Sequence, residues 1–174
     1  MVTAITALRP FPADHKSMEV RPMVQAKVKL TFPETRQFVV ETGSGHQMII
    51  DEPTSNTGPK PMELLAAALA GCTAFDVITI LRSKKHKKIT AYQVSVEAEQ
   101  RTFPPQVITK VRVHHSVTGK QLDAEAVEDA IKLSEMKYCS VGAILRQSGA
   151  EIVTTYSIQS TQDAEVGSLH AAVS

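Results

Sequence analysis

Cys72 and Cys139 are the only two cysteines in a chain of 174 residues. Cys72 sits inside the apolar run that extends from Pro61 to Leu81, and Cys139 opens the segment Cys139-Ser-Val-Gly-Ala-Ile-Leu-Arg146. If the fold brings the two sulfurs together, they form a dithiol that can cycle with a disulfide. If it does not, they are small buried hydrophobes, the usual condition of a free cysteine. Two local features favour chemistry. Cys139 stands where a helix is expected to begin, and unpaired backbone N–H groups there stabilise a thiolate. Cys72 is flanked by Ala70, Gly71, Thr73 and Ala74, which leave its sulfur approachable. By this reasoning Cys139 is expected to be the more acidic thiol, because Asp76, one turn beyond Cys72, opposes a thiolate at Cys72.

Other chemistry is thinly represented. There is no Cys-x-x-Cys, and His114 and His115 are neighbours on an expected strand, so their side chains point to opposite faces. No metal and no cofactor are expected. Arg82-Ser-Lys-Lys-His-Lys-Lys88 is the one basic run. It reads as a solvated helix end rather than a nucleic-acid contact, because no aromatic residues interleave with it. Gly43-Ser-Gly-His46 reads as a hairpin turn and not as a phosphate loop.

These residues must be positioned by elements legible in the periodicity. Residues 1–21 carry Pro10 and Pro12 and show no period, which reads as an arm. Val24 to Phe32 alternates, with Val24, Ala26, Val28, Leu30 and Phe32 on one side, as a half-buried strand does. Residues 37–42 and 47–51 flank the glycine turn, and 52–60 is loop by composition. Pro61 opens a long helix, with Glu63 in its first turn and Arg82, Lys84 and Lys85 at its far end. This helix is apolar nearly all round, so most of its surface is expected to be buried, in part by a second subunit. Strands follow at 89–99 and 107–117. Asp123 caps an amphipathic helix that places Val127, Ala130, Ile131, Ser134 and Tyr138 along one face. A helix from Ser140 ends at Gly149, and a last strand covers 151–158. The order is that of an α+β domain over 22–160 with mainly antiparallel sheet, followed by a tail over 161–174.

Composition excludes little and points to an ordinary globular protein. Apolar residues make up 43%, charged residues 21%, and the net charge is +1. No strong pull toward nucleic acid or anionic lipid follows. Asp76 interrupts the one candidate membrane span, and the N-terminus lacks the basic and apolar regions of a secretory signal. A cytoplasmic protein is expected, and in that reducing setting a disulfide would be transient.

Gly43-Ser-Gly-His46, Asp51, the stretch Gly58-Pro-Lys-Pro-Met-Glu-Leu-Leu-Ala-Ala-Ala-Leu-Ala-Gly-Cys-Thr-Ala-Phe-Asp76 and the later Lys137-Tyr-Cys-Ser-Val-Gly142 resemble the OsmC/Ohr superfamily. The resemblance spans about residues 22–160. It implies an intertwined homodimer with long Cys-bearing helices at the centre, packed between antiparallel sheets. It also implies a thiol peroxidase that reduces organic hydroperoxides. On this carry-over Cys72 attacks the peroxide and becomes a sulfenic acid, Cys139 resolves it as a disulfide, and a thiol or dithiol reductant restores the pair. The ranking of the two thiols is then the reverse of that from helix position alone. The family's activating Glu directly follows the proline at the helix entry, where this chain has Met62. Glu63 is one residue late, about 13 Å along the helix from Cys72. Arg36 is the arginine that corresponds to the family's activating cation. Two other readings remain: a thiol protein acting on a different electrophile, and a non-catalytic module that binds an apolar ligand.

Overall fold

The computed structural model describes residues 23–161. The expected arm over 1–21 and the expected tail beyond Thr161 lie outside the described residues. The described chain groups into two compact units that divide between Ile49 and Ile50.

The N-terminal unit is a three-stranded sheet of β1 (Ala26–Leu30), β2 (Phe38–Thr42) and β3 (Gln47–Ile50), in that order. β1 and β2 pair antiparallel with Val28 opposite Val40. The β2–β3 turn closes with Thr42 N donating to His46 O and Gly45 N donating to Thr42 O, both at 2.9 Å. Gly45 adopts a φ of +82°, a conformation that costs glycine nothing and most residues a good deal. β1 was expected to be half-buried, but among the described residues it is exposed along its whole length, Val28 and Leu30 included, as is Phe32 just beyond it.

The C-terminal unit begins with a loop stapled by Asp51. Its carboxylate accepts from the Glu52 and Thr57 backbone N–H groups and from the Thr57 hydroxyl. α1 (Pro61–Thr79) follows and runs on through a π-helical turn, Ile80–Lys84. β4 (Lys88–Gln100) and β5 (Ile108–Lys120) form a long antiparallel pair. α2 (Ala124–Leu133) is capped by Asp123, whose carboxylate accepts from Ala126 N at 2.7 Å, and it also ends in a π turn, Ser134–Tyr138. α3 (Ser140–Gln147) and β6 (Glu151–Thr161) complete the chain. The sheet order is β4-β5-β6.

Three differences from expectation have physical causes. β6 pairs parallel to β5, with Val113 opposite Thr154. A parallel partner needs a crossover, and α2 with α3 supplies it. Tyr138 leaves the buried face that Val127, Ala130, Ile131 and Ser134 share. The π turn inserts an extra residue per turn and rotates the following side chains off the helical stripe. Finally, the long helix is less covered than its composition suggests. On α1 only Leu69, Thr73 and Val77 are buried, while Phe75 is 80% exposed.

The helical segment Pro61–Lys84 also has the length and composition to cross a membrane, which the presence of Asp76 had seemed to preclude. Its inward stripe nevertheless packs as a core helix does. Val77, Ile80 and Leu81 join Val117, Val127 and Ile131 in one apolar cluster. Leu69 joins Val111, Val113, Cys139 and Leu145 in a second. The thiol of Cys139 is therefore part of the core. The fold is α+β.

Candidate active site

α1 delivers Cys72 and Asp76 to one side of the helix, because residues four apart lie one above the other. The π turn and the start of α3 deliver Cys139. The sulfurs of Cys72 and Cys139 and a carboxylate oxygen of Asp76 all lie within 4.8 Å of one another. Both cysteines are free thiols. Cys72 is half-buried, whereas Cys139 is 4% exposed. Cys72 is thus the more accessible of the two residues.

The cluster is held by hydrogen bonds from adjacent elements. Ser134 Oγ, fully buried on the π turn, donates to Asp76 Oδ2 at 2.9 Å. Its proton is thereby committed, so Thr73 Oγ1, 3.2 Å away, donates to Ser134 Oγ. The chain Thr73–Ser134–Asp76 ties α1 to the segment that carries Cys139. Cys139 occupies the N-cap position of α3, and its sulfur accepts from Gly142 N at 3.4 Å. A side chain at 142 would be crowded, since a Cβ there would lie 3.3 Å from the Cys139 sulfur.

Helix position does not make Cys139 acidic. Burial pushes its thiol up to about 11, the adjacent Cys72 adds to the rise, and the single Gly142 N–H only partly opposes them. The expectation that Cys139 is the more acidic thiol had counted the helix terminus and not the desolvation. At neutral pH Cys139 is a protonated thiol.

Behind Cys139 lies a small cavity of about 10 Å³, close to the minimum for one water. Leu69, Thr73, Val113, His115, Cys139, Gly142 and Thr154 are among its lining residues. His115 is 1% exposed, and Tyr92 Oη lies 2.6 Å from its Nδ1. Its Nε2 has no hydrogen-bond partner among the described residues. Burial, and then the neighbouring His114, pull the imidazole down to about 4, so it is neutral at pH 7. His114 points the other way, toward Thr155 and Ser157 on β6, as the strand geometry requires.

The other expected site residues have local settings of their own. Glu63 caps α1: its Oε2 accepts from Lys60 N at 2.9 Å, and Lys60 Nζ lies 3.9 Å from its Oε1. Arg36 is exposed on the β1–β2 connection of the N-terminal unit. His46 is bonded through Nδ1 to Ser44 in the β2–β3 turn. Thr73, Ser134, Tyr92 and His115 were missed as site residues. Ser134 had been placed on the buried face of α2, yet no local signal pairs it with a residue on another helix. Gly142 had a signal, because it stands three residues after a thiol at a helix start.

Comparison with known proteins identifies the family and the fold. The family profile described as OsmC-like protein matches residues 54–155. The chain is 36% identical over 135 residues to protein YhfA of Escherichia coli K12, covering 78% of this chain and 98% of that one. Its fold matches an OsmC-like protein from Mycoplasma pneumoniae with a TM-score of 0.68 at 14% identity, over 79% of this chain and 98% of that one. It also matches the organic hydroperoxide resistance protein OsmC from Legionella pneumophila with a TM-score of 0.61 at 18% identity, over 80% and 99%. The profile match over residues 54–155, more than half of the chain, places the protein in the OsmC-like family.

Proposed function

We propose that this protein is a cytoplasmic thiol peroxidase that reduces organic hydroperoxides through Cys72 and Cys139. The observation that carries the reading is the asymmetry of the pair: sulfurs within 4.8 Å, one half-buried and one in the core. The Cys72 thiolate attacks the outer peroxide oxygen. The O–O bond breaks, Cys72 becomes a sulfenic acid, and the departing alkoxide takes a proton to leave as the alcohol. The Cys139 thiol then attacks the Cys72 sulfur. The S–S bond forms, and the thiol proton leaves with the sulfenic hydroxyl as water. Two electrons from an external dithiol, or from two thiols, restore the pair. A Cys139 that stays protonated suits the resolving role and not the attacking one.

The similarity to an organic hydroperoxide resistance protein from Legionella pneumophila supports the substrate class. The apolar residues around Cys72 suit an alkyl chain. The exposed Val28, Leu30, Phe32 and Phe75 support a homodimer in which a second copy covers them. Arg36 is the residue proposed to supply positive potential to the thiolate. Arg36→Met should then slow oxidation at pH 7 by at least about tenfold, or 1.4 kcal/mol, with the gap closing at alkaline pH. Glu63, bonded at the helix entry, is proposed as a cap rather than a catalyst.

Stopped-flow oxidation of the reduced protein with cumene hydroperoxide and with hydrogen peroxide tests the reading. Rapid reaction, faster with the organic peroxide and lost in Cys72→Ser, is expected. Slow oxidation no better than that of a free thiol would leave either a protein acting on another electrophile or a passive binding module.

A further inference from the structure

Asp76 has no part in the dithiol cycle, yet its carboxylate lies within 4.8 Å of both sulfurs. Among the described residues it forms no ion pair, and the neutral Ser134 hydroxyl donates to it. A divalent cation that displaces both thiol protons would meet two sulfurs and a carboxylate in one half-buried space. Such a set is poor at holding thiolates alone and well matched to a divalent cation.

The donor types narrow the ion. Two thiolates and one carboxylate suit a borderline-soft metal and select against magnesium and calcium, which take oxygen ligands. The spacing agrees as well. Zn–S bonds of about 2.3 Å and Zn–O bonds of about 2.0–2.2 Å put tetrahedral ligand atoms roughly 3.5–3.8 Å apart, which separations within 4.8 Å accommodate. Ser134 already donates to the carboxylate, and Gly142 N–H already donates to the Cys139 sulfur. Donors of this kind orient metal ligands from behind. Cys72 and Asp76 are only half-buried, which leaves a path inward from the α1 side. Neither histidine spacing nor a Cys-x-x-Cys signals this set. It arises from a Cys and an Asp four apart on one helix and a second Cys from a distant one.

We propose that the reduced cluster of Cys72, Asp76 and Cys139 binds one zinc ion per chain, with a fourth position open to water. A bound ion holds both sulfurs, so it masks the dithiol against oxidation until it leaves. The site goes beyond the peroxidase reading and does not depend on it, since binding is measured on the reduced protein without any peroxide.

Titration of the reduced full-length protein with Cd2+ tests this through the ultraviolet sulfur-to-cadmium charge-transfer band. One Cd2+ per chain is expected, and Zn2+ should abolish the band by displacement. Cys72→Ser and Cys139→Ser should each lose about half the band, because one of two thiolate ligands is gone. Asp76→Asn should keep the full band but bind at least about tenfold more weakly. Absence of a band, one ion shared by two chains, or unchanged affinity in Asp76→Asn would overturn the proposal. If circular dichroism shows that a serine variant does not fold, the wild-type stoichiometry and the Asp76→Asn affinity decide it.

Discussion

Ser134 Oγ donates to Asp76 Oδ2 at 2.9 Å and so joins the π turn after α2 to the Cys72 helix. Ser134 is fully buried, and Thr73 completes its hydrogen bonding. This bond sets the two thiol-bearing segments side by side. Ser134→Ala leaves the carboxylate short of a partner in a half-buried place. It should cost about 1–3 kcal/mol of stability. Urea denaturation with an unchanged slope checks this. A loss too small to resolve would mean that water replaces the hydroxyl freely.

The thiol pair should close. One equivalent of organic hydroperoxide is expected to give an intrachain Cys72–Cys139 disulfide, for which the sulfurs must move to about 2.05 Å. Peptide mapping without reductant reads the product. A bond between chains, or two thiols remaining free, would contradict the pairing.

The roles of the two thiols should separate under dimedone trapping. Cys139→Ser should react once with hydroperoxide and hold a trappable sulfenic acid at Cys72. Cys72→Ser should trap nothing, because the buried Cys139 thiol, raised to about 11, is protonated at neutral pH. Trapping in Cys72→Ser alone would invert the assignment.

His115 should make the protein acid-sensitive. Its pKa is lowered from 6.5 to about 4 in the folded state, chiefly by burial. Between those values the unfolded chain binds the proton that the folded chain refuses. Stability therefore falls as pH drops from about 6.5 to 4, by at most about 3 kcal/mol. Above pH 6.5 the group is neutral in both states and adds no slope. His115→Gln should flatten the stability–pH curve in this window relative to wild type. Parallel curves for the two proteins would show that other groups carry the acid response.

Assembly is open to a direct measurement. Val28 and Leu30 on β1, Phe32 just beyond it and Phe75 on α1 are large, exposed and apolar. Burial yields about 25 cal/mol per Å² of apolar surface, which favours covering them with a second copy. Light scattering at micromolar concentration should give twice the chain mass. A folded, monodisperse monomer would refute the dimer.

Much of this was legible from residue order. Pro61, the apolar run behind it and the alternation of the strands specify the main elements, because helical and strand periods differ and each must bury one side. The two thiols stood out because the chain has no others, and the quoted motifs carried the family. What residue order could not supply was the environment of each group. Cys139 looked activated because a helix begins there, yet desolvation by Leu69, Leu145 and Val113 outweighs one N–H. Tyr138 fell off its stripe because a π turn changes the phase, and no periodicity of 3.6 foresees that. Asp76 meets Ser134, and Tyr92 meets His115, only because distant elements pack together. Local order selects the elements through short-range sterics and hydrophobic period. The charge state of a thiol depends on what the folded chain places within a few ångströms of it, and only the tertiary structure decides that.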